Sequence, residues 1–135
     1  MERAIAVLTD VKDLGELLQG ASLEEVHVEP VGGRLQLALE LTRAVIERQT
    51  VVRAGWFRRA KTPWTKSQLT LKGINALTIR RLTETSPNHV PLLACDAVQG
   101  GYQLTVRALD GLQFVLGLSQ LEGSFRDVGN LIESS

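Results

Sequence analysis

Apolar residues change their spacing once, early in the chain, and then keep the new one. Val7, Leu8, Val11, Leu14, Leu17 and Leu18 recur three and four apart, which lines one face of a helix. This predicts a helix from about Asp10 to Gln19, with an earlier start near Glu2 left open. Thr9 or Asp10 is placed to cap it, and Gly20 to end it. Gly15 inside it costs about 1 kcal/mol relative to alanine. After Gly20 the pattern alternates. In "LEEVHVEP", Val26 and Val28 fall on one face, His27 and Glu29 on the other. "VGG" supplies a turn, and "RLQLALEL" sets Leu35, Leu37, Leu39 and Leu41 against Gln36, Ala38 and Glu40. The two runs read as a hairpin.

The rest of the chain repeats this theme. "TRAVIERQTVVRAGW" favours strand through its β-branched residues, with a bend near Glu47. "SQLTLKG" and "NALTIRRL" alternate as two strands, and "TSPNHVP" is a loop because Pro87 and Pro91 break ladders. "LLACDAV" and "YQLTVRAL" are strands around Gly100-Gly101. Asp110-Gly111 is a hairpin signal leading into "LQFVLGL", and "LEGSFRDV" closes the series. Strands at short spacing between glycine turns predict antiparallel pairing. The expected class is mainly β, or α+β with little α. Its form is an antiparallel β-sandwich or strongly curved sheet with one N-terminal helix, in a single domain over 1–135.

Composition adds bounds. Aromatics make up only 4% of the 135 residues, so Leu, Val, Ile and Ala must build the core. The N-terminal apolar run is too short for a membrane span and poorly formed for a signal peptide, so no membrane partner is expected. Cys95 is the sole cysteine, which rules out an intrachain disulfide and fits a thiol-reducing cytoplasm. Net charge is zero but linearly uneven. Residues 43–81 hold ten of the fifteen Lys and Arg against one acid, Glu47. Folding either keeps a basic and an acidic side or mixes the charges across one sheet; mixing is the simpler expectation.

Candidate chemistry is thin. His27, His89 and Cys95 make a scattered trio without metal-ligand spacing, and neither metal nor cofactor is expected. Cys95 with His89 as base and Asp96 behind it lacks an oxyanion-hole motif, and Cys95 in "LLACDAV" reads as a small buried residue. Gly32-Gly33 and Gly100-Gly101 join alternating runs rather than opening a helix, so they are turns and not phosphate loops. Glu24 and Glu25 are adjacent, so on a strand they point to opposite faces and cannot act together on one substrate. No catalytic constellation is found, and a non-enzyme is expected.

One stretch remains, "RAGWFRRAKTPWTKS", residues 53–67. It gathers Trp56, Phe57, Arg58, Arg59, Lys61, Trp64 and Lys66 with no acid. Trp and Arg are favoured anchors at protein interfaces, and aromatic stacking beside cations is also the physics of single-strand binding. A third reading is a loop between strands, with Pro63 removing a backbone donor and the aromatics covering the core's open end. Overall neutrality weighs against nucleic acid.

The C-terminal half resembles small bacterial β-domain proteins, some assigned as immunity proteins of polymorphic toxin systems. The matching positions are Leu69, Leu71, Gly73, Ile74 and Leu77, then Gly123 and Phe125, within about Leu69 to Val128. The resemblance implies a protein that works by binding. The expected function is therefore non-catalytic contact with a protein partner or a second copy, in toxin neutralisation or self-association. Single-stranded nucleic-acid binding through 53–67 is the alternative.

Overall fold

The computed structural model describes residues 2–45, 63–81, 92–107 and 112–129 with their side chains, and 50–54, 57–61 and 132–133 by backbone. Its elements are β1 (Glu2–Ile5), α1 (Leu8–Leu17), β2 (Ser22–Val31), β3 (Arg34–Ala44), β4 (Thr50–Ala54), β5 (Phe57–Lys61) and β6 (Pro63–Arg81). They continue with β7 (Leu93–Val98), β8 (Gly101–Arg107), β9 (Leu112–Leu118), β10 (Gly123–Asp127) and β11 (Ile132–Glu133). Nine strands form one antiparallel sheet, strongly curled into a half-barrel, so the curved sheet rather than the stacked sandwich is the outcome.

β6 organises that sheet. Its first half pairs with β3 on one side and β10 on the other, and β2 and β1 lie beyond them. Its second half pairs with β9, followed by β8 and β7. The two strands expected around Gly73 are thus one continuous strand of 19 residues. Gly73 has φ +69°, and the pairing registers slip on both sides of it. A glycine tolerates that conformation, so the strand kinks there without breaking its ladder.

The inner face carries the core. Leu37, Leu39, Leu41, Leu69, Leu71, Leu104, Leu116 and Phe125 are all almost wholly buried. α1 adds Val11, Leu14 and Leu18 and packs on β7, the outermost strand. Gly15 permits that approach, since a Cβ there would stand 3.0 Å from the Leu93 carbonyl oxygen. The helix starts two residues earlier than expected, and Glu2–Ile5 forms a strand instead of an early helical turn. Asp10 does serve the helix start, but from inside it: its carboxylate accepts the Ala6 and Val7 N–H groups, both at 3.0 Å. Those bonds hold the Asp10 carboxyl below its usual range.

The hairpin of β2 and β3 forms as expected, with Gly32 and Gly33 both at positive φ in its turn. β7, β8 and β9 also form a meander. The bend near Glu47, the 85–91 loop with His89, and Asp110-Gly111 lie outside the described residues. Among the described residues, no helix is long and apolar enough to cross a membrane.

Candidate functional site

The stretch 53–67 is built from strands. β4 and β5 pair as a two-stranded ribbon separate from the main sheet, with Arg53 opposite Arg58 and Thr50 opposite Lys61. Phe57, Arg58, Arg59 and Lys61 all lie in β5, described by backbone, and Trp56 falls outside the described residues. The loop reading of Pro63 is corrected. Pro63 is the first residue of β6, where a missing N–H is tolerated, and its carbonyl accepts the Val45 N–H at 2.7 Å. Trp64 and Lys66 follow on the outer face of β6, the first half-buried and the second exposed. Trp64 lies between Ala44 of β3 and Ile132 of β11.

Lys66 borders a second feature on the same outer face. A cavity of about 650 Å³ is lined by Glu24, Glu25, Glu40, Thr42, Lys66, Gln68 and Arg126, among others. Strand register sets Glu25, Glu40, Gln68, Arg126 and Glu2 in one row across five strands. Arg126 donates to the Gln68 side-chain oxygen from Nε at 3.3 Å and from Nη2 at 3.0 Å. Thr42 donates its hydroxyl to Glu24 at 3.1 Å.

The expectation that Glu24 and Glu25 face opposite ways is overturned. Leu23 pairs with Leu41 but Glu25 pairs with Glu40, so Glu24 is an extra, bulged residue. A bulge re-aims the side chains around it, and both carboxylates line the same cavity. Here acids of β2 and β3 share a cavity with bases of β6 and β10, so charges mix across the sheet among the described residues, as the simpler expectation held.

The inner face holds a polar cluster at one end of the core. Arg43 is fully buried and reaches Asp127 with two bonds, Nε at 3.0 Å and Nη2 at 2.8 Å. Ser67 donates to the same carboxylate at 2.7 Å. The guanidinium stands 5.9 Å from the Phe125 ring centre, a cation–π distance. Burial pushes the Asp127 carboxyl up, but the Arg43 and Ser67 hydrogen bonds and the Arg43 charge outweigh it and hold the group below its usual range. One of the ten basic residues of 43–81 is thereby removed from the surface.

Cys95 is buried in β7. Burial and then the Asp96 charge push its thiol up, which favours the protonated, poorly nucleophilic form. No family model, no curated protein and no solved structure matches the chain.

Proposed function

We propose that the protein works by contact rather than catalysis, docking a protein partner or a second copy through the β4–β5 ribbon and the first residues of β6. One observation carries the reading: the ribbon hydrogen-bonds as its own small sheet. A basic segment set in a small sheet of its own suits strand-wise and charge-based contact with a partner. Trp64 and Lys66, on the strand that follows, extend the same chemistry. The partner that fits is a protein surface bearing acidic groups around an apolar centre. The resemblance over Leu69 to Val128 favours toxin neutralisation as the biological form of that contact.

The test pairs native protein with an Arg58→Glu/Arg59→Glu variant. Light scattering across a concentration series reads self-association, and affinity capture with each form as bait reads partner binding. The expected result is a dimer or a captured protein that the variant loses. A monomer at every concentration, capturing the same proteins as the variant, overturns the reading. Tight binding of a single-stranded oligonucleotide that weakens by orders of magnitude between about 50 and 200 mM salt would replace it with nucleic-acid recognition.

A further inference from the structure

We propose that Glu25, His27 and Glu40 form a zinc-class divalent cation site on the outer face of the β2–β3 hairpin. Glu25 and His27 lie two apart on β2, on one side of the strand, and Glu40 sits opposite Glu25 on β3. One ligand atom from each lies within 4.8 Å of the other two. His27 Nε2 and Glu25 Oε2 are 3.0 Å apart. Two ligands on a tetrahedral zinc, with bonds of about 2.0–2.2 Å, stand roughly 3.4 Å apart, so only small side-chain rotations are needed.

Two independent features point the same way. Directly opposed like charges destabilise an antiparallel pair, and Glu25 faces Glu40 in register. Lys66 and Arg126 line the same cavity without a direct ion pair to Glu24, Glu25 or Glu40, and the contact Glu25 does make is with the imidazole of His27. In addition, the bulge at Glu24 turns a third carboxylate to the same side, where its bond to Thr42 holds it. A bound divalent cation converts this crowding into attraction.

The donor set selects the metal class. One imidazole nitrogen with two carboxylates suits zinc and its neighbours, whereas magnesium and calcium want shells of oxygen alone. Three protein ligands leave a position for water. The ligands come from both strands of the hairpin, so the metal would tie exposed β2 to β3.

Zn²⁺ titrated into metal-free protein by calorimetry tests the site. The expected result is one zinc per chain, with affinity falling at least about tenfold in His27→Ala and in Glu40→Gln, and unchanged in His89→Ala. The three ligand side chains are exposed, so the variants keep their fold, which an unchanged melting curve verifies. A native isotherm without saturable binding, or one that His27→Ala and Glu40→Gln leave unaltered, overturns the assignment.

Discussion

The two halves of β6 share one strand and each alternates apolar with polar residues, yet they end with opposite burial. Leu69 and Leu71 are 1% and 0% exposed, whereas Ile79 is 57% exposed. The apolar residues are alike; their surroundings are not. Trp64 has β3 on one side and β11 on the other, and Ser67 to Leu71 has β3 on one side and β10 on the other. Beyond Ile74 only β9 pairs with the strand among the described residues. Alternation therefore reports which face a residue occupies, while the number of flanking strands decides whether that face is dry.

The sharpest way to break the contrast is at the polar end of the well-flanked half. Asp127→Ala removes two charge-assisted hydrogen bonds from a fully buried guanidinium, and chemical denaturation should show a loss of about 3–5 kcal/mol. Acid probes the same contact without mutation. The Asp127 carboxyl titrates lower when folded than its ordinary 3.8, so its contribution is present above that value and is lost as pH falls through the folded value. Native protein should lose stability in that window more steeply than Asp127→Asn does.

The second comparison is direct. Leu71→Ala should cost about 2–5 kcal/mol, because it empties a buried site between two flanking strands. Ile79→Ala should stay within about 0.5 kcal/mol in the same denaturation assay. Equal losses would mean that the second half is covered as thoroughly as the first. The smallest effect concerns the joint. Gly73→Ala forces a side chain into the left-handed region and should lower stability by about 1–2 kcal/mol, with the ladders on either side intact by amide exchange.

Much of this was legible in residue spacing. Parity of two placed the core leucines of β3, β6 and β8, and the glycine turns placed the hairpins. What escaped were the irregularities, although they left traces. Leu23 and Val26 both pack inward but stand three apart, a spacing that only a bulge reconciles with one face. The steps from Leu71 to Ile74 and on to Leu77 carry the same odd interval around Gly73. The Arg43 cluster was hidden differently. Arg43 continues the parity of Leu37, Leu39 and Leu41, as Ser67 continues that of Leu69 and Asp127 that of Phe125. Charge argued for the surface while position argued for the core, and a mutual partner on β10 let position win. The Glu25–His27–Glu40 grouping needed the β2–β3 register, which runs unbroken from the Gly32-Gly33 turn (Val31 opposite Arg34) to Glu25 opposite Glu40, a count across two strands that parity along one does not supply. The separateness of the β4–β5 ribbon depends on which strands pair, and spacing is silent about that.

The pairing of β1 with β10 sets Glu2 beside Arg126. During synthesis the first strand therefore leaves the ribosome long before its neighbour exists. At about 5–20 residues per second, the interval is roughly 6–25 s. Over that time Glu2–Ile5 has no ladder to join, and the sheet closes only when translation has passed Asp127. Assembly of this molecule is thus timed by the making of the chain as much as by its intrinsic folding speed.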